Sequence, residues 1–103
     1  MKTLLQLLLL IALIPLAAVS QISEIENINP GGDSNPDTFF IDSSDRLFFQ
    51  ADNGTDGNEL YVYNGTSTTL IDINMAGSSN SNPNNFTEFG GKIYFRAFED
   101  TSK

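Results

Sequence analysis

The sequence predicts an all-β protein made of antiparallel four-stranded repeats, like the blades of a propeller. Three observations support this fold class: a duplication at an offset of 45 to 47 residues, short segments rich in aromatic and β-branched residues, and Asn, Asp and Gly residues between them. We expect residues 21–103 to hold about one and two-thirds such repeats, preceded by a signal-peptide helix over residues 1–20.

The first 20 residues have the composition of a secretory signal peptide. Lys2 supplies a positive charge, residues 4–17 are apolar except for Gln6, and Ala18, Val19 and Ser20 are small enough for a signal peptidase. A membrane anchor is the alternative, but the apolar run is shorter than the ~20 residues that span a bilayer. We therefore predict cleavage after Ser20 and an exported or cell-surface product with no membrane span.

Composition excludes several classes of function. The chain has 5 basic and 13 acidic residues, so removing residues 1–20, which hold one Lys, leaves 4 − 13 = −9. Such a charge disfavours nucleic acids and anionic membranes as partners, because both are bound through clustered Lys and Arg. The sequence has no Cys and no His, which excludes the usual zinc sites, thiol nucleophiles and imidazole bases. We predict that the protein is not an enzyme and holds no cofactor or metal.

Two stretches of the chain match each other over about 30 positions. Residues 25–29 match 70–74, residues 34–37 match 81–84, Phe39 matches Phe86, and residues 46–51 match 92–97. The offset changes along the match, which indicates one-residue gaps in loops. This spacing is typical of blade-type repeats of about 40 to 50 residues.

Each repeat is predicted to contain four strands. In the first unit they cover residues 38–42, 46–51, 59–63 and 66–73. A strand over residues 22–28 is predicted to end an earlier unit. Strands over residues 85–89 and 92–97 are predicted to begin the next unit. Residues 43–45 and 90–91 are predicted hairpin turns, and Asn64-Gly65 favours a type I′ turn. Strand alternation predicts a shared core face. Its members are Leu47, Phe49, Ala51, Ile93, Phe95 and Ala97.

The predicted second unit is incomplete at Lys103. Propellers have at least four blades, and stacked repeats need about three units to cover their apolar faces. We therefore expect the chain to be a fragment of a longer propeller-like protein. The alternative is a genuine short product with an exposed sheet edge and a tendency to self-associate.

Residues 59–66 resemble the motif that names the ELWxxDGT repeat family, with Tyr61 in place of Trp and Asn64 in place of Asp. Residues 47–55 resemble the LFFxADDGT segment of that family, and residues 72–74 and 28–31 resemble its DINPG segment. The resemblance covers roughly residues 25–100. It implies a propeller-like protein exported by bacteria, often of the Bacteroidetes group and sometimes labelled hyalin-like, with no established catalytic residues.

The loop from Asp52 to Glu59 is the densest cluster of side-chain oxygens, and Ca²⁺ prefers such ligands. Its spacing departs from that of a calcium loop, because Gly54 stands where a side-chain ligand is expected and Tyr63 where a bidentate Glu is expected. The other interpretation is a solvated turn whose Asp, Asn and Gly residues suit the backbone geometry.

Three further patterns have both a functional and a structural interpretation. Asn53, Asn64 and Asn85 begin N-glycosylation sequons, but turn chemistry explains the first two and the bacterial resemblance favours non-use. Thirteen carboxylates invite comparison with glycosidases, yet no spacing supports a catalytic pair. Six aromatic residues provide either a sugar-binding platform or packing between sheets. They are Phe39, Phe40, Phe48, Tyr61, Tyr63 and Tyr94.

These observations predict a non-catalytic exported or cell-surface protein that serves adhesion or binds extracellular carbohydrate or protein through loops, such as the polar segment 74–85. The alternative is a non-catalytic propeller module of a larger secreted enzyme whose catalytic part lies beyond residue 103.

Overall fold

The computed structural model describes residues 23–100, which form two antiparallel β-sheets and no helix. The first sheet has the order β1-β2-β3-β4, and the second pairs β5 with β6. The strands are β1 (Asp37–Ile41), β2 (Leu47–Asp52), β3 (Asn58–Tyr63), β4 (Thr68–Ile71), β5 (Asn84–Phe89) and β6 (Lys92–Arg96). The all-β prediction is confirmed. The predicted signal peptide at residues 1–20 lies outside the described residues, and none of residues 23–100 belongs to an apolar helix of membrane-spanning length.

Most predicted strands agree with the structure to within one or two residues, with two exceptions. The predicted strand over residues 22–28 is wrong, because residues 23–28 have no strand pairing and Ile22 lies outside the described part. Strand β4 is also shorter than predicted and ends at Ile71. Its continuation is prevented because the amide of Ile73 donates to the Glu59 carboxylate instead of to a neighbouring strand.

The two predicted hairpin turns are confirmed. Between β1 and β2, Asp45 adopts a positive φ of 59° and donates its amide to the carbonyl of Asp42. This geometry is typical of a three-residue loop that ends in a left-handed residue. Between β5 and β6, Gly90 and Gly91 both have positive φ and connect the paired residues Phe89 and Lys92, as a two-residue type I′ turn requires.

The prediction of a type I′ turn at Asn64-Gly65 is wrong. Gly65 has a φ of 95°, but Asn64 does not have a positive φ. Asn64 instead flanks the turn, where its amide donates to the carbonyl of Ser67 and its side-chain oxygen accepts from the amides of Thr66 and Ser67. With Gly65 as the first central residue, the turn has the φ pattern of type II′.

The second sheet repeats the backbone irregularities of the first. The β1–β2 register shifts between Asp37 and Phe40, and the β5–β6 register shifts at the matching place, between Asn84 and Thr87. Inside these bulges, Thr38 and Asn85 have φ values of 58° and 56°. A positive φ is rare for a β-branched residue such as Thr. The sequence duplication therefore corresponds to a structural duplication.

The two units also share an equivalent backbone hydrogen bond. The amide of Asp52 donates to the carbonyl of Ser34 at 2.8 Å, and the amide of Phe98 donates to the carbonyl of Ser81 at 2.7 Å. Each bond joins the segment before the first strand of a unit to the end of its second strand. The same backbone hydrogen bond therefore joins equivalent positions in both units.

The two sheets pack through phenylalanine rings. The ring of Phe86 on β5 lies 6.0 Å from that of Phe40 and 6.1 Å from that of Phe48, measured between centroids. The ring of Phe95 on β6 also contacts that of Phe86, with the two centroids 5.4 Å apart. These separations are typical of favourable aromatic pairs, which contribute about 0.5–1.5 kcal/mol beyond the burial of their area.

The opposite face of the first sheet carries a second aromatic row. Phe49 stacks on Tyr61 at 5.7 Å and on Phe39 at 5.9 Å, and Ala51 is fully buried beside them. Ile28 from the irregular N-terminal segment packs against this row. The first sheet therefore has apolar residues on both faces.

The predicted core face is confirmed for the first unit and only partly for the second. Phe49 and Ala51 are buried and Leu47 packs against them, whereas Phe95 and Ala97 are exposed and Ile93 is half-buried. The prediction also missed Phe48, which is buried on the other face because the second sheet covers it.

Gly57 allows the connection between the two sheets, residues 72–83, to pass close to the backbone at the start of β3. It has a φ of 87°, and a Cβ atom at this position would lie 2.5 Å from the carbonyl oxygen of Ser79. Gly65 has a similar φ of 95° but no atom within 4 Å of the corresponding position. A side chain at either position would strain the backbone, but only a side chain at position 57 would also clash with a neighbouring segment. Comparing substitutions at the two positions therefore distinguishes the two effects.

We predict that Gly57→Ala lowers the free energy of unfolding by about 2–4 kcal/mol, and Gly65→Ala by about 1 kcal/mol. Both variants pay for a left-handed Ala, but only Gly57→Ala displaces the backbone of the connection. Urea unfolding followed by circular dichroism measures both values. Equal losses for the two variants would contradict the steric role of Gly57.

Candidate functional site

The most buried charged side chain is that of Glu59 on β3, whose relative exposure is 0%. Its Oε2 accepts hydrogen bonds from the amides of Ile73 and Asn74 at 2.9 and 3.3 Å, and its Oε1 accepts from the amide of Ser81 at 2.9 Å. A buried carboxylate is tolerated when hydrogen bonds of this kind replace water. Glu59 thus holds both ends of the connection between the sheets.

Asn58, the neighbour of Glu59, extends this attachment through its backbone and its side chain. The Asn58 carbonyl accepts from the amides of Ser81 and Asn82, and the Asn58 amide donates to the side-chain oxygen of Asn80 at 2.6 Å. Its Nδ2 donates to Oδ1 of Asn82 at 2.8 Å and also to the side chain of Gln50. The segment 80–82 is therefore fixed in position by β3.

Beside this fixed segment lies an open cleft of about 280 Å³, which we call the Arg96 cleft. Its lining comes from the segment before β5 and from the end of β6, which the bond from Phe98 to Ser81 holds together. The lining residues are Ser81, Asn82, Asn84, Arg96, Ala97 and Phe98. The cleft combines amide groups, a guanidinium and an aromatic ring.

Several polar atoms of the Arg96 cleft are free to bind a ligand. Asn82 uses its Oδ1 to accept from Asn58, and Asn84 uses its Nδ2 to donate to the carbonyl of Asn82. The Nδ2 of Asn82, the Oδ1 of Asn84 and the Arg96 guanidinium make no hydrogen bond to another residue in the range 23–100. The cleft thus presents donors and an acceptor, and hydrogen bonds already orient the side chains of Asn82 and Asn84.

Arg96 differs in its surroundings from Arg46, the other arginine. The Arg46 guanidinium pairs with the carboxylate of Asp42 at 2.7 Å and lies 5.3 Å from the ring of Phe48. Within the part of the chain that the structure describes, Arg96 has no carboxylate within ion-pair distance. In a chain with a formal net charge of −8, Arg96 is therefore an available cation.

The proposed calcium loop is organised by its own hydrogen bonds. Oδ1 of Asp52 accepts from the amide of Gly54, and Oδ1 of Asn53 accepts from the amides of Thr55 and Asp56. Glu59, at the end of the loop, is directed into the interior. Among residues 23–100 no three acidic side chains gather in a metal-binding group. Hydrogen bonds from backbone amides to Asp and Asn side chains, as at Asp52 and Asn53, are typical of turns. Whether the loop binds calcium stays a prediction.

The six aromatic candidates do not form one platform. Phe40 and Phe48 lie between the sheets, whereas Phe39 and Tyr61 lie on the opposite face of the first sheet. Tyr63 packs at the edge of that second group. Tyr94 is separate from both and 54% exposed. These positions favour packing as the main role of the set.

The three sequons lie at different kinds of position. Asn53 is half-buried, and its Nδ2 donates to the carboxylate of Asp56 at 2.7 Å. Asn64 is exposed at the β3–β4 turn, and Asn85 is exposed in the β5 bulge. Whether any of the three carries a glycan stays a prediction.

Two aspartates have shifted pKa values of opposite sign. Burial would raise the pKa of Asp42, but hydrogen bonds from Arg46 and Ser44 and the charge of Arg46 hold it below its ordinary value of 3.8. Burial raises the pKa of Asp72, and the nearby carboxylates of Glu59 and Asp56 raise it further. Oδ1 of Asp72 is buried and has no hydrogen-bond partner among the described residues.

Sequence reasoning missed both the burial of Glu59 and the Arg96 cleft. The polar segment 74–85 was expected to be a surface loop, but Asn74, Ser81 and Pro83 within it are buried. The duplication aligns Ser81 and Pro83 with Ser34 and Pro36 and so indicates that the segment belongs to a repeat unit, but Ser34 is only half-buried and Pro36 is exposed, so the alignment does not predict burial.

No family model matches the chain, and no curated protein or solved structure matches it either. The resemblance to the ELWxxDGT repeat family, which depends on short motifs, stays a prediction.

The two aspartates predict opposite effects of pH on stability. Asp72 has a folded-state pKa above 3.8, so its ionised form destabilises the fold at neutral pH and this cost disappears as the pH falls through that pKa. Asp42 has a folded-state pKa below 3.8, so it stabilises the fold above this value and the stabilisation is lost as the pH falls through the lowered pKa. We predict that at neutral pH Asp72→Asn raises the melting temperature and Asp42→Asn lowers it.

Melting curves from neutral pH down to acid pH test this pair of variants. Both differences from the wild type should shrink as the pH falls through the folded-state pKa of the substituted residue. A lower melting temperature for Asp72→Asn at neutral pH would contradict the account of Asp72.

Proposed function

We propose that this chain is a non-catalytic, exported β-repeat protein that binds carboxylated extracellular carbohydrate in the Arg96 cleft. The observation that carries the proposal is the combination in this cleft of amide groups and a guanidinium with no hydrogen-bond or ion-pair partner among residues 23–100, next to the exposed ring of Phe98. Binding of this kind would serve adhesion to a glycan-rich surface.

The chemistry of the cleft matches that of a sugar. Amide side chains both donate and accept hydrogen bonds, as sugar hydroxyl groups do. The ring of Phe98 offers an apolar surface to the C–H groups of a pyranose. Arg96 adds a planar pair of donors that suits a carboxylate, as in a uronic acid. A neutral sugar would leave the charge of Arg96 unused, so carboxylated sugars are the preferred class. The net negative charge of the chain repels a long polyanion, so we expect contact with one carboxylated sugar residue at a time, at an ionic strength that screens the repulsion.

The absence of catalytic function is supported by the residues available. The sequence contains no His or Cys. The carboxylates of Glu59 and Asp42 accept hydrogen bonds from backbone amides or Arg46 and are held as structural groups. Neither carboxylate belongs to the lining of the Arg96 cleft.

Propeller-like stacking of the two sheets is the finer part of the proposal. It is supported by the proximity of β1 and β5, the first strands of the two units, and by the ring contacts of Phe86 with Phe40 and Phe48 across the two sheets. Propeller blades pack against their neighbours in this way. Export is supported by the composition of residues 1–20.

The proposal predicts binding to alginate and polygalacturonate and weaker binding to neutral dextran. Phe98→Ala and Arg96→Gln should each weaken binding by about tenfold or more, because each removes a central contact worth over ~1.4 kcal/mol. The measurement is isothermal titration calorimetry on dilute protein at about 0.15 M salt, where charges more than about 8 Å apart are largely screened. Phe98 is 63% exposed, so its truncation leaves the fold intact.

Two matched control variants separate the cleft from general surface effects. Lys92→Gln removes a positive charge at the other end of β6, and Met75→Ala removes an exposed apolar side chain outside the cleft. Both should bind like the wild type. Equal loss for Arg96→Gln and Lys92→Gln would indicate attraction by net charge alone. Absence of binding to either carboxylated polysaccharide would overturn the proposal.

A further inference from the structure

The first sheet carries an apolar groove of about 190 Å³ on the face that points away from the second sheet. We call it the Phe39 groove. Its apolar lining includes Ile25, Ile28, Pro36, Phe39 and Phe49, and Glu26 also lines it. Phe39 is 61% exposed. Contiguous exposed apolar surface often marks a site of protein interaction.

The internal duplication identifies the kind of surface that fits the groove. Phe39 and Phe49 are the repeat equivalents of Phe86 and Phe95, and both pairs are in ring contact. In the second unit, Phe86 packs against the rings of the preceding sheet. The Phe39 groove is therefore the face with which a unit packs on the unit before it.

The chain itself carries a counterpart on the opposite face of its second sheet, here called the outer face. The residues equivalent to Phe40 and Phe48 are Thr87 and Tyr94, which are paired across β5 and β6. Phe89 and Lys92 form the next pair with the same orientation, because they lie two residues away along each strand. Phe89 and Tyr94 are both exposed. The outer face thus has two uncovered aromatic rings.

The charges of the two surfaces are complementary. Lys92 lies beside Tyr94 on the outer face, at the position equivalent to Arg46, which stacks on Phe48 in the existing interface. The Phe39 groove has Glu26 in its lining and the exposed Glu24 two residues before it. Opposite charges on facing surfaces favour correct docking and oppose the pairing of like surfaces.

We propose that the Phe39 groove binds the outer face of a second copy of this chain. The contact continues the stacking of the first and second sheets from one molecule to the next. Because the two surfaces differ, the interface is heterologous, and repeated association produces open chains or a closed ring. The proposal does not depend on carbohydrate binding, since neither Phe39 nor Tyr94 lines the Arg96 cleft.

The test uses the full chain exported by its expression host and two variants that each block one surface. Phe39→Asp blocks the groove, and Tyr94→Asp blocks the outer face. Met75→Asp is the control, because Met75 is exposed and belongs to neither surface. Light scattering coupled to size-exclusion chromatography measures the mass of each protein from about 10 µM to about 1 mM, a range suited to weak association.

We expect the apparent mass of the wild type and of Met75→Asp to rise at least twofold over this range. Each blocking variant alone should remain monomeric. An equimolar mixture of Phe39→Asp and Tyr94→Asp should form a dimer and nothing larger. The Tyr94→Asp chain supplies the intact groove and the Phe39→Asp chain supplies the intact outer face, and the other two surfaces are blocked. Circular dichroism confirms that each variant is folded, and Phe39→Ser replaces Phe39→Asp if the latter is not.

Three outcomes would overturn the proposal. A wild type that stays monomeric would leave the groove to another occupant, such as a further repeat of a longer chain. Blocking variants that associate as strongly as the wild type would show that another surface, such as a sheet edge, mediates the contact. A mixture that stays monomeric would exclude the head-to-tail arrangement.

Discussion

One buried carboxylate determines how the two sheets are joined. Glu59 has no exposed surface, and its three amide donors come from residues 14 to 22 positions further along the chain. Removing a carboxylate from water costs several kcal/mol unless hydrogen bonds replace the lost hydration. The connection must therefore pass β3 in a conformation that directs these three amides at the carboxylate, and this path delivers β5 to the side of β1.

The remaining features depend on this path. Once β5 lies beside β1, Phe86 meets Phe40 and Phe48, and the second sheet covers one face of the first. The segment 80–82 is held against Asn58, so that Asn82 and Asn84 stand at fixed positions next to the end of β6. The Arg96 cleft is thus a consequence of how one repeat unit is joined to the next. The Phe39 groove lies on the face of the first sheet that the second sheet does not cover.

Local features of the fold could be predicted from the sequence, because they depend on neighbouring residues. Alternation and β-branched or aromatic residues located the strands, and Gly90-Gly91 located a tight turn. The Asn64-Gly65 turn was assigned incorrectly, since the Asn64 side chain caps the turn from its flank. The internal duplication was also visible, and the matching bulges at Thr38 and Asn85 confirm it.

Features that join distant residues could not be predicted in this way. A glutamate where a polar loop meets a strand is normally solvated, and nothing near Glu59 in the sequence indicates donors at Ile73 and Ser81. The burial of Phe48 depends on the position of the second sheet, and the exposure of Phe95 depends on what covers that sheet. The Arg96 cleft likewise needs Asn82 and Phe98 to meet, which follows from the closure of the unit by a single backbone hydrogen bond.

Hydrogen exchange of individual amides, measured by NMR on the wild-type protein, tests the role of Glu59 most directly. Ile73, Asn74 and Ser81 lie outside every strand, so ordinary loop amides at these positions would exchange rapidly. We expect these three amides to exchange as slowly as the amides at the centre of β2 and β3, and we expect Glu59→Gln to accelerate the exchange of all three. Exchange of the three amides at the rate of the exposed loop residues Ala76 and Gly77 would contradict it.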